Sequence, residues 1–238
     1  MNSLDFSRYV FGSPYFAWLC RGFMMTLIIT ALCAFGGTLF GVIALHGRIS
    51  AGRPARAAAA GYIVIFRNLP VVPLLLFMTF ALPGIYRQTT GGDLPRGFEF
   101  SFLILGLSLN AGAYIAEILR AGVESVPYTQ VEAARTLGLS RNSIRRRVIF
   151  PQAARIVAPA LASRCIHIMK NASLALVIPL APSTMEMVGQ AGRIAGQTFS
   201  WIEPLIFAAA GYMTLSLILS RLLNRWAGRE HARIGAGL

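Results

Sequence analysis

Between Gly22 and Leu45 the chain carries no charged side chain, and Arg21 and His46 bound the run. As helix, at about 1.5 Å per residue, it is long enough to cross a hydrocarbon core of about 30 Å. Four further stretches come near the same length. The second, about 57–82, is interrupted by Arg67, Asn68 and Pro70. The third, about 100–119, contains Asn110 and Glu117, the fourth, about 156–178, contains Arg164, His167 and Lys170, and the fifth runs over about 204–223. Only helices and closed barrels satisfy their backbone groups in lipid, and runs of this length point to helices. The expectation is an all-α integral membrane chain, residues 1–238 as one domain, with about five transmembrane helices. Composition agrees: 55% of residues are hydrophobic and 13% charged, and mean hydropathy is +0.61. The first run is too long for a signal-peptide core and is expected as an uncleaved span.

The net charge of +13 raises the question of nucleic acid, but its distribution argues against that partner. Basic residues collect between apolar runs, where positive charge marks the cytoplasmic side. Fourteen arginines fall on one side of a five-span arrangement and five on the other, leaving Arg67 and Arg164 within spans. The richer side holds the loops around Arg53 and Arg145 and the C-terminal arginines Arg221 and Arg225. The N-terminus is therefore expected to be periplasmic and the C-terminus cytoplasmic, with outer loops near 84–98 and 183–200.

Several classes of chemistry find no residues here. Cys20, Cys33 and Cys165 form no CxxC pair and read as small packing residues. Lys170 is the only lysine and no GxxxxGK[ST] loop surrounds it, so this chain does not itself bind and hydrolyse ATP. No His/Glu set has metal-ligand spacing, and no nucleophile–base set stands out. The chain is expected to be no enzyme and to bind no cofactor.

Polar residues inside spans cost free energy, about 2.5–3.5 kcal/mol for a charged group at a helix centre on insertion scales, so their arrangement is informative. Ser163, Arg164, His167, Lys170 and Asn171 share about a third of one helix circumference at 100° per residue. Counted from Arg155, Arg164 lies ~13 Å and Lys170 ~22 Å along the axis. Such a stripe faces either a water-filled path or a hydrogen-bonding seam between helices. Asn110, Tyr114 and Glu117 form a smaller stripe, and Glu117 can pair with Arg120 one turn on. Arg67 and Asn68 precede Pro70, whose missing N–H frees a carbonyl and invites a break. Breaks of this kind occur beside transporter substrate sites and in ordinary membrane helices alike.

The loop 125–151 lies on the arginine-rich side. Glu132 to Leu137 favours helix, Gly138 suits a C-cap, and Ser140 can cap a second short helix. From these residues alone the segment is either a docking element for a soluble partner or an interfacial helix resting on lipid. Arg145, Arg146 and Arg147 suit contact with an anionic inner leaflet.

The spacing adds a resemblance. Glu132-Ala133-Ala134, three residues, Gly138, nine residues, Val148, then Pro151 resembles the EAA loop of permease subunits in ATP-driven bacterial importers. Residues 113–120 (AYIAEILR), Phe66-Arg67-Asn68 with Pro70, and Lys170-Asn171-Ala172-Ser173-Leu174 are similar to segments of the polar amino acid branch of that family, of histidine, glutamine and glutamate type. The resemblance runs in order from about residue 16 to 225. It implies a type I ABC importer permease in a bacterial inner membrane. Glu132, Ala133, Ala134, Gly138 and Pro151 would then couple the chain to a separate ATP-binding subunit, present in two copies, which hydrolyses ATP with magnesium. A second permease subunit, identical or paralogous, would complete the path, and a periplasmic solute-binding protein would deliver substrate. Arg67, Asn68, Arg164, His167, Lys170 and Asn171 are the candidates for the substrate path, and their charge leans toward acidic or broadly polar amino acids. A permease for another small solute and an ion-gradient-driven carrier or channel subunit are the alternatives. Thr129, Leu69, Leu74 and Pro179 depart from the family pattern, the last three toward the expected path.

Overall fold

The computed structural model describes residues 6–9, 12–50 and 52–235. Residues 1–5, 10, 11, 51 and 236–238 of the expected 1–238 domain lie outside them. All regular structure among the described residues is helical.

Helix α1 spans Pro14–Arg48, opened by Ser13, whose hydroxyl accepts from the Phe16 N–H at 3.2 Å. It exceeds the expected 22–45 at both ends. Helix α2 (Arg53–Asn68) ends where Leu69 turns extended, at φ −77° and ψ 122°. A short α3 (Val71–Leu76) follows, widens into a π-helical turn over Phe77–Ala81, and continues as α4 (Leu82–Thr90). The expected span 57–82 is thus divided at Pro70, and the apolar stretch of membrane length is Val71–Thr90. Helix α5 covers Phe98–Glu124. Helices α6 (Tyr128–Thr136) and α7 (Arg141–Ile144) occupy the loop 125–151, and a second π-helical turn over Arg145–Ile149 leads into α8 (Phe150–Asn171).

Both π-helical turns end two residues before a proline, Pro83 and Pro151. A proline offers no N–H and crowds the carbonyl four residues back, so the preceding turn relaxes to wider spacing. After Asn171 the chain tightens into 3-10 turns over Ala172–Val177, so the expected span 156–178 starts earlier and loses α-helical form sooner. The expected outer loop 183–200 contains helix α9, Met187–Thr198, five of whose residues are buried. Helix α10 runs from Ile202 to Gly235.

Among the described residues four helices are long and apolar enough to cross a membrane: Pro14–Arg48, Val71–Thr90, Phe98–Glu124 and the Ile202–Leu223 part of α10. Helix α8 does not qualify on apolarity, because its polar stripe lowers it. At the centre stands α5, packed along α1 and touching α2, α3 and α8, while α9 fills the space against α1 and α10. Small residues permit the α1–α5 approach. A Cβ on Gly37 would stand 2.7 Å from the Ala111 Cβ, and one on Gly112 would stand 2.7 Å from the Phe40 Cβ. Close backbone approach through small residues is the usual means of helix association in lipid, where no hydrophobic force separates helix from solvent. Ile29, Cys33, Leu75, Leu103, Leu107 and Ile168 form the largest buried cluster. Cys33 therefore packs as expected and Cys165 is half-buried, whereas Cys20 is exposed and fills no core position.

Candidate functional site

The break after α2 sets up the site. The Leu69 N–H donates to the Ile65 carbonyl at 3.0 Å, the last helical bond of α2. Pro70 has no N–H for the Phe66 carbonyl. Two side chains of α5 meet the exposed backbone instead. Asn110 Nδ2 donates to the Phe66 carbonyl at 2.8 Å, and the Tyr114 hydroxyl donates to the Arg67 carbonyl at 3.2 Å. A third bond, from the Tyr62 hydroxyl to the Leu109 carbonyl at 2.7 Å, fastens α2 to α5 one turn further on. In a low-dielectric slab such pairings replace the water that would otherwise solvate a broken helix.

The same two side chains hold arginines. Asn110 Oδ1 accepts from Arg164 Nη2 at 3.0 Å. The Arg164 guanidinium carbon lies 4.1 Å from the Tyr114 ring centroid, and that of Arg67 lies 5.4 Å from the same centroid. Arg164 meets no carboxylate among the described residues, and its Nε is buried without a hydrogen-bond partner. Arg67 is less free, with its Nη1 3.8 Å from Glu117 Oε2. That carboxylate also meets Arg120 at 2.9 Å and Arg48 at 4.0 Å, and Arg120 reaches on to Glu124. Pairing of Glu117 with Arg120 is as expected from their spacing; the two further arginines come from α1 and α2, which a local pattern does not reach. Three guanidinium groups here meet two carboxylates and Arg164 adds a fourth that meets none, so the network keeps positive charge.

The sequence candidates divide. Arg67 and Arg164 meet around Tyr114. Asn68 turns back on its own helix, donating to the Val64 carbonyl at 2.9 Å. Lys170 lies elsewhere, in a groove of ≈ 650 Å³ between α8 and α10, with Ser173, Tyr212 and Ser216. His167 is exposed and Asn171 half-buried, and neither joins the Tyr114 cluster. On α8, Ser163, His167 and Lys170 are exposed, while Ile168, Met169 and Ala172 on the other side are buried. One polar face of α8 is thus left uncovered by the chain itself.

A second polar centre, this one buried, lies outside the expected site residues. Glu186 is fully buried and caps α9, accepting from the Val188 and Gly189 N–H groups, each at 2.7 Å. The Tyr212 hydroxyl of α10 donates to it at 2.7 Å. Burial pushes its carboxyl above the ordinary range against the pull of these donors. Glu is not among the side chains that usually mark a helix N-cap, so no local signal announces the start of α9 within 183–200.

In the loop 125–151, Gly138 has φ 76°, and the α6 terminus closes with Leu139 N–H to the Ala134 carbonyl at 3.2 Å and Gly138 N–H to the Arg135 carbonyl at 2.9 Å. This six-to-one and five-to-two pair is a Schellman closure, which needs the left-handed residue that glycine supplies. Ser140 caps α7, accepting from the Ser143 N–H at 3.3 Å. Gln152 of α8 donates to Gln130 of α6, tying the loop to the helix that follows it. Glu132, Ala133, Gly138 and Pro151 are exposed, but Ala134 is 5% exposed and packs inward. Leu137, 80% exposed, and Tyr128, 61% exposed, add apolar surface to the loop that the sequence pattern did not single out. Among the described residues no group of three or more His, Cys, Asp or Glu side chains could hold a metal ion.

Comparison with known proteins places this geometry. Residues 37–230 match the model of the family described as binding-protein-dependent transport system inner membrane component. The chain is 33% identical over 218 residues to the arginine transport system permease protein ArtQ of Bacillus subtilis (strain 168), covering 92% of this chain and 93% of that one. It is 30% identical over 224 residues to the glutamate/aspartate import permease protein GltK of Escherichia coli O157:H7, covering 94% and 97%. A crystal structure of an amino acid ABC transporter with histidines superposes with a TM-score of 0.83 at 30% identity, over 96% of this chain and 100% of that one. The inward-facing MetNI methionine ABC transporter, at 22% identity and a TM-score of 0.66, shares the fold. The chain belongs to the binding-protein-dependent transport system inner membrane components: it is a multi-pass, non-catalytic permease subunit of the ABC importer type.

Proposed function

We propose that this chain forms the membrane path of an ATP-driven importer for amino acids, with a preference for acidic or broadly polar ones. The observation that carries the substrate preference is the uncompensated cation. Arg164 has no carboxylate partner among the described residues, while Glu117, the carboxylate of the same network, is engaged by three arginines. A cationic substrate would meet repulsion there, and an anionic one would meet a guanidinium held partly desolvated, where charge-assisted bonds are strong. Lys170, about 9 Å further along α8 at 1.5 Å per residue, adds a separate positive charge in the groove against α10. The relatives named above import arginine or glutamate and aspartate, so the two signs of charge are the readings to separate.

In this reading residues 1–238 act as one domain with five crossings, the polar α8 being the additional one. The N-terminus is periplasmic and the C-terminus cytoplasmic, as arginine placement favours. The uncovered face of α8 meets a second permease subunit, so that Arg67, Asn68, Arg164, His167, Lys170 and Asn171 border a shared path. The loop 125–151 docks into one of two ATP-binding subunits through Glu132, Ala133 and the exposed Leu137, with Gly138 fixing the turn and Pro151 starting α8. Closure of the ATPase pair would move α6, and the bond between Gln130 and Gln152 would pass that motion to α8. A periplasmic binding protein delivers the substrate.

The test is uptake of a labelled amino acid panel at micromolar concentration, with and without this chain, in cells treated with a protonophore while ATP is maintained. Chain-dependent glutamate and aspartate uptake is expected. Protonophore-sensitive uptake would turn the reading toward an ion-gradient carrier, and chain-dependent arginine uptake alone would reverse the assigned charge.

A further inference from the structure

Two residues of α5 hold the cationic site together without being its charge. We infer that Tyr114 and Asn110 are positioning residues that join Arg67 and Arg164 into a paired-guanidinium site for a dicarboxylic amino acid; the inference rests on the path reading above. The two arginines come from different helices, and nothing in their own segments brings them together. The break at Pro70 carries Arg67, and its stray carbonyls are the handles by which Asn110 and Tyr114 grip that segment, at 2.8 and 3.2 Å. With its other polar atom Asn110 accepts from Arg164 at 3.0 Å, and with its ring Tyr114 receives both guanidinium groups, at 4.1 and 5.4 Å from the centroid. The two guanidinium carbons therefore stand within 9.5 Å of each other.

The charges differ in availability. Arg164 has a buried Nε without a partner. Arg67 shares Glu117 at 3.8 Å with Arg120, which holds the same oxygen at 2.9 Å. The closer pair dominates, so Arg67 is the looser member and can turn to a substrate. A guanidinium engages a carboxylate through paired donors in a fixed fork, and two forks accommodate the two carboxylates of glutamate or aspartate. Glutamine offers one carboxylate, and arginine offers one carboxylate together with a cation. The Tyr114 ring, which both guanidinium groups approach, attracts cations through its face.

The experiment is equilibrium binding of labelled L-glutamate, L-glutamine and L-arginine to the purified permease–ATPase complex without its binding protein. Each variant is compared at matched membrane abundance and ATPase co-purification. The parent is expected to bind glutamate tightest. Tyr114→Leu should weaken glutamate binding about tenfold, in line with the loss of a desolvated cation–π contact and a hydrogen bond, and should flatten the preference over glutamine. Tyr114→Phe keeps the ring and should stay within about threefold, the low end of what one neutral hydrogen bond contributes. Tyr114→Leu combined with Arg164→Gln should lose less than the product of the two single losses, because Tyr114 acts in part through Arg164 and residues acting through one another are not additive. Should Tyr114→Leu fail to accumulate, the isosteric Asn110→Asp supplies the reading, placing a carboxylate on Arg164 that weakens glutamate binding and tightens arginine binding. Additive losses, or an unchanged glutamate preference in Tyr114→Leu or Asn110→Asp while Arg164→Gln loses it, would overturn the positioning role and leave the path reading standing. Absence of binding of all three amino acids to the parent complex would overturn both.

Discussion

Two polar centres in this chain, a half-buried one around Tyr114 and a buried one around Glu186, are built to opposite ends. Glu186 takes two backbone N–H groups and a tyrosine hydroxyl, all at 2.7 Å, and ties α9 to α10 with no donor wanting. The Tyr114 centre gathers four guanidinium groups against two carboxylates and leaves one guanidinium nitrogen unbonded. A polar group removed from water costs free energy unless it is satisfied. The closed centre therefore reads as architecture. The open one reads as a place whose remaining partner arrives from outside.

This difference is breakable at both centres. The largest effect is expected at the closed one: Glu186→Ala removes the cap and the Tyr212 acceptor together, at a cost of about 3 kcal/mol or more for donors left buried. Membrane abundance of the folded chain should fall sharply, as read by protease resistance or thermal precipitation of detergent extracts. Arg164→Gln should do the reverse, keeping normal abundance and losing most glutamate uptake. If Arg164→Gln destabilises the chain as strongly as Glu186→Ala, the two centres are alike and the distinction fails. Gly138→Arg probes the coupling role proposed for the loop 125–151. A side chain there meets open space but must hold φ 76°, a strain of roughly 1–2 kcal/mol for a non-glycine residue. Insertion should proceed and substrate-stimulated ATP hydrolysis should be lost; full stimulation at normal abundance would remove Gly138 from coupling. The smallest effect is expected at Arg87. Its ion pair with Asp93 is short, at 2.7 Å, but both side chains are about three-quarters exposed, 73% and 76%. Arg87→Ala should change stability by ~0–1 kcal/mol and leave uptake unaltered.

What the sequence made legible follows the physics of single segments. The uncharged run 22–45 could only be a membrane helix, and the caps at Gly138 and Ser140 are local signals within a few residues of the groups they satisfy. The second span was misplaced because hydropathy averaged across Pro70. The break is held open by Asn110 and Tyr114, more than forty positions away in the chain, and no window sees that. The expected outer loop 183–200 hid α9 for a related reason. Its glycines and polar residues read as loop, yet Glu186 supplies the cap and α1 and α10 supply the walls. Within the site, the charge of Arg67 and Arg164 was visible from their depth in apolar runs. Their meeting on one tyrosine was not, because it depends on how α2, α5 and α8 pack. Ala134 teaches the same limit in the loop: its type fits a docking surface, but its side chain packs inward.

The account rests on the sign of the charge that the path accepts, and reversal at Arg164 tests it most directly. Uptake of labelled glutamate and arginine would be measured in cells carrying the parent chain or Arg164→Glu, matched for membrane abundance. Glutamate import by the parent and its loss in Arg164→Glu, with arginine import equal or raised, is the predicted result. Glutamate import that survives the reversal would contradict it.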